Sequence, residues 1–252
     1  MPKFAANVTT MFQELPMHER MQAAVKCGFK AVEFLFPYDW SPDEISRWQG
    51  RNDLEIILIN TSPGETAGMA ALADRQADFR QSFHNTLTYA ETLGVPMIHL
   101  MAGRATDQTQ ISETLFIENV QWAAELAADK TILLEPLNNI DMPGYLHTSS
   151  EHTSRLIDAI GHPNVKMQFD FYHMQVMEGH LVRSLETYRD QIGHIQFSSM
   201  PGRHEPQHGE VNVDYLFNWL DSAGYDGWVG CEYTPRDGTV EGLSWAKRWG
   251  IG

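Results

Sequence analysis

Short apolar runs alternate with longer amphipathic stretches along this chain, and the alternation repeats eight times. The runs cover residues 4–8, 31–36, 55–60, 97–101, 131–135, 165–170, 194–198 and 228–232, with few charges before the last position of each. Near-continuous apolar character of this length predicts strands buried on both faces of a parallel sheet. Helical spacing fills the intervals. Within 116–128, Val120, Ala123, Ala124 and Ala127 form a stripe at offsets of three and four. Within 149–160, Leu156, Ile157 and Ile160 share a face, and hydroxyl residues suited to capping open the segment. Gly28, Gly94, Gly161 and Gly224 each follow a helical stretch, where glycine supplies the left-handed turn into the next strand. Eight strand-then-helix units without a linker predict an α/β fold, a (β/α)8 TIM barrel forming a single domain over 1–252. An open doubly wound sheet is the alternative, but no G-x-G-x-x-G follows the first strand. The long breaks 61–73, 138–148 and 200–212 all follow strands, on the rim where barrels build their sites.

Composition narrows the function. The chain has 252 residues, 42% of them hydrophobic and 11% aromatic, which excludes a disordered protein. With 18 Lys+Arg against 33 Asp+Glu, the net charge of −15 opposes both a nucleic-acid groove and a polybasic membrane surface. Cys27 and Cys231 make no C-x-x-C pair and read as reduced, buried thiols. The first residues show no charged-then-apolar leader pattern, and no run approaches the length of a membrane span. The expectation is a cytoplasmic protein whose partner is a small molecule.

Polar residues interrupt the last four strands at their ends: Glu135, Asp170, Gln196 and Glu232. Singly, each could cap a helix or bond backbone. Together they are three carboxylates and a carboxamide on one rim, and no Lys or Arg accompanies them at the strand ends. A divalent cation would neutralise them, and an all-oxygen set suits Mg2+ or Mn2+. Two opposed glutamates, Glu135 and Glu232, can also remove a proton beside a carbonyl and return it to the neighbouring carbon.

The chain resembles the hydroxypyruvate isomerases and the related 2-oxo-tetronate isomerases, within the xylose isomerase-like barrels that also include ketose 3-epimerases. Phe4-Ala5-Ala6-Asn7, Val32-Glu33-Phe34, Leu134-Glu135-Pro136 and Phe169-Asp170-Phe171-Tyr172-His173 carry the likeness. Pro201-Gly202-Arg203-His204-Glu205-Pro206 and Gly227-Trp228-Val229-Gly230-Cys231-Glu232-Tyr233 continue it, so it spans nearly the whole chain. The resemblance implies metal binding by Glu135, Asp170, Gln196 and Glu232, and proton transfer by Glu135 and Glu232. It implies a hydroxy-oxo acid or sugar as substrate, with hydroxypyruvate and tartronate semialdehyde interconverted through a cis-enediolate. Gln196 stands where the epimerases usually carry histidine, and 138–144 is closer to hydroxypyruvate isomerase than to the tetronate enzymes. The loop 63–69 departs from both, being shorter and lacking a tryptophan and an arginine. A tetronate isomerase, a 3-epimerase and a non-catalytic sugar-acid binding barrel remain the alternatives.

Supporting residues divide between function and packing. His173, three residues past Asp170, is a candidate for touching a substrate oxygen. Asp141 accepts a substrate hydroxyl or shapes the turn before Pro143-Gly144. Arg203 binds a substrate carboxylate in two-pronged fashion or pairs with Glu205 or Glu210, in a loop shared with His204 and His208. Glu33, Asn7, Asn60 and His99 line the pocket or bond within the core. Trp219, Trp228, Trp245 and Trp249 pack helices or form a contact in a homo-oligomer.

Overall fold

The computed structural model describes residues 2–252. Its first half runs β1 (Lys3–Asn7), α1 (Met17–Lys26), β2 (Ala31–Glu33), α2 (Pro42–Asn52), β3 (Glu55–Asn60), α3 (Gln76–Leu93), β4 (Met97–His99) and α4 (Glu113–Leu126). The second half runs β5 (Thr131–Leu134), α5 (Ser150–Ile160), β6 (Val165–Asp170), α6 (Phe171–Met177), α7 (Leu181–Thr187), β7 (Ile192–Phe197), α8 (Val213–Ser222), β8 (Trp228–Cys231) and α9 (Thr239–Gly242). A 3-10 segment, Leu243–Trp249, follows. The strands form a closed barrel in the order β1 to β8, as the eightfold pattern predicts. Among the described residues no helix is long and apolar enough to cross a membrane.

Strands 55–60 and 165–170 coincide with the predicted runs, whereas 31–36 and 97–101 shorten to three residues each. Hydroxyl groups from other segments end those two ladders. Thr9 Oγ1 accepts the Leu35 N–H at 3.0 Å, and Thr61 Oγ1 accepts the Met101 N–H at 3.0 Å. Side chains thus take over backbone donors that a continuing strand would have paired. Helix α4 begins before the predicted stripe because Ser112 Oγ caps it, accepting from the Leu115 N–H at 3.2 Å. Ser149 caps α5 in the same way at 3.2 Å. Gly94 and Gly161 close α3 and α5 with φ of 67° and 65°.

Chain contacts divide the protein into two compact units. One comprises Met1–Ile57, Asp170–Tyr172 and Ile195–Gly252. There β1 pairs with β2 and β8, placing Asn7 level with Glu33 and Ala6 level with Cys231. Its core is aromatic. Phe4 meets Phe217, Trp245 and Trp249 edge-on, at centroid distances of 4.9, 5.1 and 5.0 Å. Trp245 and Trp249 are therefore packing residues. Cys27 and Cys231 are buried free thiols.

The other unit comprises Leu58–Phe169 and His173–His194. Here β3, β4 and β5 register Asn60 with His99 and His99 with Leu133. Val120, Ala123, Ala124 and Ala127 are fully buried, as the stripe predicts. Gly68 and Gly103 join the loops that follow β3 and β4. Both have φ of 104°. A Cβ on Gly68 would lie 2.3 Å from the Met101 carbonyl oxygen, and one on Gly103 would lie 2.7 Å from the Gly68 carbonyl oxygen. Only glycine fits either position.

Candidate active site

Asp170 is the last residue of β6 and Gln196 the penultimate residue of β7. Glu135 and Glu232 lie one residue past β5 and β8, not at their last positions. All four occupy the carboxyl ends of their strands, the rim on which barrels build sites.

Around Asp170 and Glu232 the protein gathers acids. Glu33, at the end of β2, is fully buried and accepts from Asn7 Nδ2 at 3.1 Å and from Gln196 Nε2 at 2.8 Å. That engages the amide nitrogen of Gln196. Glu33 packs against the backbone of Gly230, where a Cβ would stand 1.9 Å from its Oε1. Asp170 accepts the Tyr172 N–H at 2.9 Å. Burial raises the Asp170 carboxyl pKa against the opposing pull of Arg203. Glu232 keeps 14% of its side-chain surface exposed. Burial of the remainder, opposed by Arg203 and reinforced by Asp170 and Glu33, pushes its carboxyl up to about 8.

Arg203 departs from expectation. Its Nη2 lies 3.2 Å from Asp170 and 3.4 Å from Glu232, with the guanidinium 4.7 Å over the Tyr172 ring. The expected pairing with Glu205 or Glu210 is replaced, because a backbone φ of 51° turns the loop and aims the side chain back at the strand ends. Arg203 N–H bonds Ser199 O at 3.0 Å and Arg203 O accepts from Thr234 at 2.8 Å, fixing that turn. His204 bonds Thr234 O through Nδ1 at 2.8 Å, and Glu205 accepts the Arg236 N–H at 3.2 Å. Both serve the loop. The strand-end acids thus have one cationic neighbour that the strand sequences do not reveal.

Around Glu135 the neighbours are imidazoles. His99, at the end of β4, places Nδ1 3.4 Å from Glu135 Oε2, both groups being buried. Burial lowers the His99 pKa to about 3, so the ring is neutral. His147 is likewise lowered to about 3, chiefly by burial. Its Nδ1 lies 2.9 Å from Thr153 Oγ1, whose own proton goes to Ser149 O at 3.0 Å. His147 Nδ1 is therefore the donor of that pair. Tyr145 hydroxyl accepts the Ala102 N–H at 2.9 Å.

His173 Nδ1 accepts the Asn138 N–H at 3.0 Å, which puts the proton of the neutral ring on Nε2. The ring is thereby set as a donor, suited to an oxygen. Asp141 is exposed and belongs to the Asn138 turn. It accepts from Asn138 Nδ2 at 2.9 Å, and its own N–H bonds Asn138 Oδ1 at 2.9 Å. The turn-shaping alternative describes it. A cavity of about 530 Å3 opens beside the short 63–69 loop, lined by Glu65, Thr66, Arg75, Arg104 and Pro143 among others.

Glu135, Asp170 and His173 are all buried. The buried carboxylates Glu135 and Asp170 are oxygen donors suited to a divalent cation, whereas His173, with Nδ1 engaged by Asn138, serves as a hydrogen-bond donor instead. The residues weighed least in the sequence are Glu33 and His99. A carboxylate and an imidazole closing three-residue strands were the available signals.

A closed parallel barrel with acids on its strand-end rim defines the class: the chain belongs to the xylose isomerase-like TIM barrel family, whose model matches residues 21–249. It is an isomerase of this family. It is 43% identical to a 2-oxo-tetronate isomerase of Cupriavidus necator, over 98% of each chain. It is 39% identical to the hydroxypyruvate isomerase of Escherichia coli, over 97% of this chain and 98% of that one. A crystal structure titled AP endonuclease, family 2, from Brucella melitensis superposes with a TM-score of 0.95 at 43% identity, over 99% of each chain.

Proposed function

We propose that this isomerase interconverts hydroxypyruvate and tartronate semialdehyde, as a single barrel domain in the cytoplasm. The buried carboxylates Glu135 and Asp170 at the strand ends of a closed parallel barrel are the observation that carries the reading. Glu135, Asp170, Gln196 and Glu232 would hold Mg2+ or Mn2+, which supplies the positive charge that steadies an enediolate's oxygens. The remaining work belongs to the side chains. One of Glu135 and Glu232 takes a proton from the hydroxymethyl carbon, and the other delivers a proton to the neighbouring carbonyl carbon. The hydroxyl proton passes between the two oxygens, so the products differ only in proton positions. His173 Nε2–H is set to donate to a substrate oxygen. Arg203 balances the charge of Asp170 and Glu232 and is the candidate to meet a substrate carboxylate.

The higher identity to a 2-oxo-tetronate isomerase favours a second reading, in which the substrate is one carbon longer. A panel of hydroxypyruvate, 2-oxo-tetronates, free ketoses and an abasic-site DNA duplex, followed by NMR and gel with and without chelator, separates the cases. Turnover of hydroxypyruvate, lost to chelator and restored by Mn2+, is expected. Faster turnover of the tetronates transfers the assignment to the second reading. Thermal stabilisation by the acids without product would make the chain a binding barrel. No cleavage of the duplex is expected from a chain of net charge −15.

A further inference from the structure

We infer that His99 is a positioning residue for Glu135: its Nδ1–H holds Glu135 Oε2 and so sets the orientation of the carboxylate. This rests on the proton-transfer role proposed for Glu135. His99 is 1% exposed, and its Nδ1 lies 3.4 Å from Glu135 Oε2. Neither of its ring nitrogens has a hydrogen-bond partner among the described residues within ordinary bonding geometry. Buried imidazoles without partners are uncommon, so one that closes a barrel strand beside a carboxylate calls for a reason. A separation of 3.4 Å is what a bond looks like before it tightens, and catalytic hydrogen bonds often close only when substrate arrives.

The surroundings fix the ring for that purpose. His99 O accepts the Thr61 N–H at 2.9 Å, and the next residue, Leu100, bonds Leu133 O at 2.9 Å. His99 is in register with Asn60 on one side and Leu133 on the other, two residues before Glu135. A neutral imidazole has one N–H, and an ionised carboxylate only accepts, which assigns the proton to Nδ1. His147 supplies the internal contrast. It is just as buried, but its Nδ1 bonds Thr153 at the start of α5, a structural anchor with no carboxylate attached.

Substitution separates positioning from packing. The Asn side chain places an N–H where His99 Nδ1 stands, whereas Gln places one nearer Nε2 and Leu none. With hydroxypyruvate and Mn2+, His99→Gln and His99→Leu are expected to lower kcat about 10–100-fold with KM within about twofold. His99→Asn should restore kcat to within about threefold of wild type, as a conservative rescue. 15N NMR of the unsubstituted protein should show His99 as the Nδ1–H tautomer, whatever the variants do. An Nε2–H tautomer overturns the inference, as does a folded Leu variant with wild-type kcat, or equal damage in Asn and Gln. Glu135→Gln is measured alongside. Wild-type turnover there defeats the proposed function itself, whereas a dead Glu135→Gln with a fully active His99→Leu defeats only the role of His99.

Discussion

Glu232 and Glu135, the two glutamates proposed to share one proton-transfer task, live in opposite electrical surroundings. Glu232 stands with Glu33 and Asp170, relieved by the single guanidinium of Arg203. Glu135 stands with His99, a neutral ring that carries no charge to offset its own. In the first region protonation is contested by charges of both signs, and Asp170 and Glu232 move upward. In the second, the ring beside the carboxylate carries no charge. The lesson is that a matched pair in the sequence can be an unmatched pair in the molecule, one member tuned by charge and the other by aim.

The sharpest way to break this contrast is to neutralise each member. Glu135→Gln and Glu232→Gln should each cut turnover by about 10²–10⁴-fold with circular dichroism and melting temperature near wild type. A large loss in one and none in the other would end the pair. Arg203→Met comes next. It strips Asp170 and Glu232 of their counter-charge, and an uncompensated buried group costs about 1–3 kcal/mol. The loss should be larger at pH 8 than at pH 5.5, since protonated acids need no partner. Calorimetry at the two pH values reads it, and a loss independent of pH would show that Arg203 acts through packing on Tyr172.

The smallest effect concerns pH and stability of the metal-free protein, where the two regions pull in opposite directions. His147 has its pKa lowered to about 3, so the unfolded chain binds more protons between there and the ordinary histidine value. Its contribution is complete above about pH 6.5 and is lost as pH falls, about 1.4 kcal/mol by pH 5.5. Glu232, raised to about 8, does the reverse: its folded form holds the proton longer, so stability falls as pH rises from about 4.5 to about 8. Glu232→Gln should therefore steepen the loss of melting temperature on acidification, and His147→Asn should flatten it. Parallel shifts in both variants would contradict the assignment of either group.

Strand patterning carries most of the fold, because a strand buried on both faces writes its length directly into hydropathy. What it misses are the ends set by Thr9 and Thr61, hydroxyls supplied from other segments and invisible to any local window. The four strand-end site positions are legible for the same reason: a carboxylate or amide closing an apolar run is conspicuous. For Arg203, a pairing with Glu205 or Glu210 suggests itself because both are near in sequence, while its partners Asp170 and Glu232 are chosen by a left-handed turn. Glu33 and His99 are underrated because a polar residue at a strand end reads equally well as core bonding until its neighbours are known. Asp141 shows the converse, its exposure and its bonds to Asn138 serving the loop.

Gly68 and Gly103 leave the loops after β3 and β4 no room to slide past each other. Mechanically they are one plate rather than two flaps. Thr66 O accepts the Arg104 N–H at 2.8 Å and Ala102 O accepts the Ala71 N–H at 2.7 Å, riveting the plate on both sides of the glycines. The 63–69 segment is thus one edge of a stiff panel that also carries Arg104. For redesign, the unit of exchange is the pair: a longer first loop grafted alone would meet a second loop cut to the shorter one, and both must be swapped together to move the wall of the cavity.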